Sequence, residues 1–319
     1  MQRREFEKFI TQMITQDVMP ILRDNYAELV TQAEQQGENF FNNDGNTASF
    51  KNDGKGLVSL GEIKAEEKIR EIFSKHYPNT SILGEELGDT DNLKDYTLVI
   101  DPVDGTSAMI LSAINPNNHL GFGITIGLLK GKLFHGGMIF ELKPDTENRL
   151  TLGDIWSGWH NDELLCNGKP YNIAPTIDKE FKTLISSAPE VMFTNKHEKS
   201  AFHSLEKTAS EISLNKNCMG FIDALKNPQS LAIEADLSIH DIAALIPIMK
   251  SADLGVSDHN GKDIEFINAE QEFKIIAAPK PIHSHALELY KTALSNKPIE
   301  INSASVLNRH SLNTQKYKT

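Results

Sequence analysis

Apolar residues recur at helical spacing through the first thirty positions: Phe6, Phe9, Ile10 and Met13, then Leu22, Tyr26, Leu29 and Val30. The spacing predicts an amphipathic helix. Pro20 is expected to kink or break it, because proline lacks the N–H that the helical ladder uses. The Asn-, Asp- and Gly-rich stretch GENFFNNDGNTASFKNDGKG follows and reads as a long mobile loop. Helical spacing returns in GEIKAEEKIREIFSKHY, with Ile63, Ile69, Ile72 and Phe73 assigned to one face and Pro78 closing the element. Short apolar runs then predict strands in SILG, TLVI, FGITIGLL and KLFHGGMIF, the last two joined by a Lys-Gly-Lys turn.

The second half keeps alternating. TLISSAP, SLAIEAD and KIIAAP read as strands, and KHEKSAFHSLEKTAS, IHDIAALIPIMKSA and HSHALELYKTALS as helices. Strands interleaved with helices predict α/β layers. No internal repeat is visible, and 319 residues are enough for a sizeable core. Residues 295–319 lose periodicity and are expected to form a poorly ordered tail.

Composition changes the picture in three places. A formal charge of -12 argues against nucleic-acid binding, since no basic surplus exists to neutralise phosphates. An anionic substrate remains open if bound cations reverse the local field. Two cysteines, Cys166 and Cys218, make no disulfide framework, so a reducing compartment is expected. The N-terminal thirty residues mix charges throughout, with no apolar run for a secretory leader or a membrane span. The expectation is a soluble, cytoplasmic protein with no membrane partner.

The candidate chemistry starts at TLVIDPVDGTSAMI, Thr97 to Ile110. An apolar strand ends at Asp101, Pro102 forces a turn, and Asp104 returns to the same side. Two carboxylates brought together repel unless a cation lies between them, and magnesium takes oxygen ligands of this kind. Gly105-Thr106 then opens an apolar segment able to start a helix, whose free N–H groups suit a phosphate. Taken alone, Asp-Pro and Asp-Gly are ordinary turn formers, and Asp104 could be a simple helix cap. Company shifts the balance: Glu85 and Glu86 end another strand in ILGEELG, and Asp241 opens the apolar helix of IHDIAALIPIMKSA.

Gly84-Glu85-Glu86, then Asp101-Pro-Val-Asp-Gly-Thr106, then a helix-opening Asp resemble the inositol monophosphatase superfamily of lithium-sensitive magnesium phosphomonoesterases. The resemblance runs from roughly Phe6 to Ala293 and includes LLCNGKPY and LVSLGEIKAEEKIREIF. SSAPEVMF (Ser186–Phe193) and HDIAALIPIMKSA are most similar to the histidinol-phosphate phosphatase branch. The fold implied is a layered α-β-α-β-α sandwich of the inositol monophosphatase and fructose-1,6-bisphosphatase type. It implies one domain over 1–294, with metal and phosphate loops in about 1–172 and the substrate pocket in about 173–294.

The resemblance also implies roles. Glu85, Asp101 and the Val103 carbonyl would hold a first Mg2+; Asp101, Asp104 and Asp241 a second; Glu85 and Glu62 a weaker third. Gly105 and Thr106 would bind phosphate through backbone N–H groups, while Thr106 with Glu85 orients the attacking water. Glu234 would read a substrate hydroxyl or amine, with Ser187 and Asn217 beside it. The implied activity is hydrolysis of a small phosphomonoester by metal-activated water in a homodimer. Histidinol phosphate leads, with inositol monophosphate or a 3'(2'),5'-bisphosphate nucleotide as the alternatives. The rival of another class is a catalytically silent binding relative. Three departures from the pattern stand out: Asn217 in place of an Asp, His240 in place of Trp or Tyr, and Asp253 in a segment that usually reads Ala-Gly-Gly.

Overall fold

The computed structural model describes residues 2–36, 48–50, 57–89, 93–115, 117 and 120–295. The strand Tyr96–Asp104 shows how the layers arise. Every residue after Tyr96 is buried, with Leu98 and Ile100 facing one apolar cluster and Val99 facing another. Side chains alternate across a strand, so a run apolar at every position needs cover on both faces.

That strand lies inside an eight-stranded sheet. From one edge the order is Lys169–Pro170, Leu165–Cys166, Leu150–Trp159, Leu133–Pro144, Phe122–Lys130, Tyr96–Asp104, Thr80–Gly84 and Gly88–Asp89. Only Thr80–Gly84 and Tyr96–Asp104 run parallel; the other neighbours are antiparallel. The predicted hairpin between Phe122–Lys130 and Leu133–Pro144 is present, with Gly131 at φ 56° in its turn. The strand Leu150–Trp159 had no counterpart among the sequence expectations.

A second, five-stranded sheet has the order Glu211–Ser213, Thr183–Ile185, Ser230–Leu237, Phe273–Ala278 and Gly255–Ser257. Leu231, Ile233 and Ala235 face helices Lys196–Thr208 and Lys280–Ser295 on one side. Ala232 faces the other side, where helices Cys218–Lys226, Ile239–Ile242 and Leu245–Ser251 pack between the two sheets. The N-terminal helices and helix Leu60–His76 cover the far face of the larger sheet. The result is five layers, α-β-α-β-α.

Pro20 does not break the first helix. Helix Arg3–Met13 passes into a π-helical turn over Ile14–Val18 and continues as Met19–Gln36. The Met19 N–H reaches back five residues to the Ile14 carbonyl. Widening the ladder just before a proline is one way for a helix to absorb the missing N–H.

Two further expectations change. The polar stretch after Gln36 contains a ladder, Ala48–Phe50 paired antiparallel with Leu57–Ser59; the rest of the expected loop, 37–47 and 51–56, lies outside the described residues. The buried stripe of Leu60–His76 runs through Glu62, Ala65, Glu66, Ile69 and Phe73, with Ile63 and Ile72 only partly covered. Two acids therefore occupy places assigned to isoleucines. The expected tail lies outside the described residues, apart from Ser295 at the helix end. Among the described residues no helix is long and apolar enough to cross a membrane.

Candidate active site

Asp101 shares the face of Val99, two residues earlier, so strand alternation aims it at the middle layer. The pairing with Phe122–Lys130 then slips between Asp101 and Asp104, a bulge of the kind that re-aims side chains. The Val103 N–H donates to Asp101 at 2.9 Å and stabilises the turn. Asp241 arrives on the short helix Ile239–Ile242, which starts with a capping box: Ser238 accepts from the helix, and Asp241 accepts the Ser238 N–H at 2.5 Å. One carboxylate oxygen from each of Asp101, Asp104 and Asp241 lies within 4.8 Å of the others. Residues far apart in sequence thus meet at one point.

Charge at that point is uncompensated. Among the described residues no lysine or arginine forms an ion pair with any of the three. Burial raises the Asp101 carboxyl well above the ordinary range, and the charges of Glu85, Asp104 and Asp241 add to it. Burial likewise raises Asp104 and Asp241, opposed by the Cys218 amide at Asp104 and the Ser238 cap at Asp241. Glu85, exposed at the turn after Thr80–Gly84, raises all three. An all-oxygen set of crowded anions with no protein cation fits Mg2+ or a similar hard divalent ion.

The turn expected to receive phosphate follows directly. Gly105 caps helix Thr106–Ile114 at φ 95°, and a Cβ there would lie 2.6 Å from the Asn217 amide nitrogen and 2.9 Å from the Phe122 Cβ. Only glycine suits that bend. The helix start leaves its first N–H groups without intrahelical acceptors. The Thr106 hydroxyl donates to Glu62 at 2.5 Å and approaches the Val103 carbonyl at 3.3 Å. Glu62 is itself half of a capping box with Ser59. Burial pushes its carboxyl up to about 8, against the hydrogen bonds from Thr106 and Ser59.

Glu234, Ser187 and Asn217 form a linked set. Glu234 accepts from Ser187 at 2.8 Å and from Ser186 at 3.3 Å. The Asn217 N–H donates to the Ser187 hydroxyl at 3.1 Å, and its side-chain amide donates to the Gly121 carbonyl at 2.8 Å. Burial raises Glu234 to about 8, with its serine partners opposing and the Asp104 charge assisting. The next amide, that of Cys218, donates to Asp104. Consecutive N–H groups therefore tie the Glu234–Ser187 pair to the carboxylate cluster.

Sequence reasoning missed Cys218, whose amide and buried thiol sit against Asp104, and also Ser186, Ser238, Glu66 and Arg70. The signal for Glu66 was present: it follows Glu62 by one helical turn on the same buried face. The departures also find places. Asp253 adopts φ 59°, a left-handed conformation that glycine would take without strain, and pairs with Lys280 on the surface. The His240 carbonyl accepts from Thr125 at 3.0 Å, pinning the helix that carries Asp241 to the larger sheet.

Three clustered aspartates between a strand end and two helix starts, set in a five-layered α/β frame, suit a metal-dependent phosphoric monoester hydrolase. Sequence comparison makes the assignment particular. The model of the inositol monophosphatase family matches residues 3–296, and this chain belongs to that family of phosphatases. It is 26% identical over 241 residues to the chloroplastic bifunctional phosphatase IMPL2 of Arabidopsis thaliana, a match covering 72% of this chain and 64% of that protein. It is 24% identical over 208 residues to a histidinol-phosphatase of Chlorobaculum parvum, covering 64% and 73% respectively. Among solved structures, the extragenic suppressor protein suhB from Bartonella henselae superposes with a TM-score of 0.65 at 19% identity, over 88% of this chain and 98% of that one. Staphylococcal inositol monophosphatase-1 gives 0.67 at 16% identity, over 91% and 96%. These likenesses establish the fold.

Proposed function

We infer that this chain hydrolyses a small phosphomonoester with Mg2+, histidinol phosphate being the leading substrate. The observation that carries the reading is the convergence of Asp101, Asp104 and Asp241 beside the helix start at Thr106. Asp101, Asp104 and Asp241 would hold one ion; Glu85, Asp101 and the Val103 carbonyl another; Glu62 would help with a third. Bound there, divalent ions supply neutralisation of phosphate charge and a lowered pKa for water.

The protein's own groups do the rest. Backbone N–H groups at Gly105 and Thr106 receive the phosphate oxygens. Glu62 holds the Thr106 hydroxyl, so its oxygen keeps a fixed direction from which to accept from water. Phosphoryl transfer needs positioning and charge neutralisation more than a covalent partner, so neither Cys166 nor Cys218 is required as a nucleophile. Glu234, aimed into the middle layer by strand alternation, receives the substrate's amine or hydroxyl, with Ser187 orienting it. An ammonium group there would favour the ionised carboxyl. Support for histidinol phosphate comes from the resemblance around Ser186–Phe193 and from the histidinol-phosphatase relative. The same reading carries one domain over 1–294, a cytoplasmic homodimer and inhibition by lithium.

Phosphate release is the test, on histidinol phosphate, inositol monophosphate and adenosine 3',5'-bisphosphate, each with and without Mg2+. Magnesium-dependent turnover abolished by Asp104→Asn is expected, with histidinol phosphate preferred. Turnover of none of them with Mg2+ would favour a silent binding relative.

A further inference from the structure

We propose that Glu66, locked by Arg70, is the positioning residue that fixes the metal-ligating Glu85 through the backbone of its turn. The idea rests on the metal reading above and goes beyond it, since Glu66 touches neither the carboxylate cluster nor a substrate.

Glu66 is completely buried, although carboxylates are rarely enclosed without partners. Its partners all belong to its own helix or to the turn. One oxygen accepts the Glu86 N–H at 2.8 Å, and the other accepts the Leu87 N–H at 3.3 Å and the Arg70 guanidinium at 2.7 Å. Arg70, one helical turn further on, also donates to the Gly88 carbonyl. Upstream, the Glu85 N–H is held by the Ile100 carbonyl at 3.1 Å, and a Cβ at Gly84 would collide with the Glu66 carboxyl. Each residue from Glu85 to Gly88 is therefore held by a hydrogen bond from outside the turn.

That density of restraint is greater than a surface turn requires. Glu85 is exposed at the rim of the cluster, and its charge reaches Asp101, Asp104 and Asp241. The Glu85 side chain hydrogen-bonds Asp101, but it has too many torsions to keep one direction by itself. A clamp on the peptide groups at Glu86 and Leu87 holds Glu85 inward before any cation binds. Groups that orient ligands in this indirect way typically change metal affinity by about 10–100-fold when replaced.

The test uses Mn2+ as the probe, with binding read by the loss of the free-ion electron paramagnetic resonance signal. Glu66→Gln, which keeps the size and one acceptor but loses the ion pair, should weaken Mn2+ binding by about tenfold or more. Arg70→Lys, which keeps the charge but not the fork, runs the same comparison should Glu66→Gln fail to fold. Far-UV circular dichroism should stay unchanged in the variants. Glu85→Gln decides the route. In that background Glu66→Gln should add less than about twofold, because the ligand it positions has gone. Unchanged Mn2+ affinity in a folded Glu66→Gln or Arg70→Lys variant overturns the clamp, as does full additivity with Glu85→Gln. Wild-type protein that takes up no Mn2+ overturns the metal reading, and the clamp falls with it.

Discussion

Thr106 and Glu62 show how much a single hydrogen bond carries. Glu62 is buried in a helix start, and burial alone would make its charge costly. The Thr106 hydroxyl offsets part of that cost and is fixed in return. Thr106→Val keeps the shape and removes the donor. It should lower stability by about 1–3 kcal/mol, from the unsatisfied carboxyl, and lower phosphatase activity by about a hundredfold or more. Thr106→Ser should recover most of both. Urea unfolding and phosphate release on the same preparations separate the two effects. Asn217 makes the same point differently: at φ 48° and ψ −139° it occupies backbone space unusual for any side chain. Its amide is committed to the Gly121 carbonyl, so in this conformation it ties its segment to the start of strand Phe122–Lys130, close beside Gly105.

At the scale of elements, the site is assembled by two capping boxes, Ser59 with Glu62 and Ser238 with Asp241. Each uses an acid to start a helix and aims it at the centre. The second helix also needs a seat. Gly127, Gly137 and Gly158, on three adjacent strands, lie where any Cβ would strike Ala243, Ala244 or Ile248. Helix and sheet thus meet backbone to backbone along this stripe. Gly137→Ala should lower stability by about 1–3 kcal/mol through overpacking, measured by urea unfolding. Most of this scale was legible beforehand, because helical and strand periodicity follow from burial. The strand Leu150–Trp159 was not, since its first six residues include only one fully buried position and present no clean alternation. The capping acids were legible as acids but not as caps: Ser59 and Ser238 look unremarkable until the helix boundary is known.

For the whole molecule, α/β layering was readable from interleaved elements, the five-layer order came from the family resemblance, and the three aspartates stood out by their positions at element ends. The contacts that join the halves were not. The Cys218 amide reaches Asp104 across 114 positions of sequence, and no local pattern announces such a bond. The joined site makes stability depend on pH with a definite sign. Ordinary carboxyls titrate near about 4, whereas burial raises Glu62 and Glu234 to about 8 and also raises Asp101, Asp104 and Asp241. Between those limits the folded chain holds protons that the unfolded chain has released. Stability from these groups is therefore complete below about pH 4 and declines as pH rises toward about 8. A divalent ion needs the ionised carboxylates, so its stabilisation grows across the same window. Thermal unfolding with a chelator should show a falling midpoint from about pH 5 to about pH 8 from this contribution. Saturating Mg2+ should raise the midpoint most at the alkaline end. An Mg2+ effect of equal size at both ends would contradict this account.

The cap at Asp241 has a consequence for how such a protein could change its trade. One oxygen of that carboxylate serves the Ser238 amide, and the other is left over for chemistry. An asparagine could keep the first bond while surrendering the anionic donor. A lineage could therefore fall silent by a single amide-for-acid exchange and remain folded, its architecture indistinguishable from that of an active ancestor.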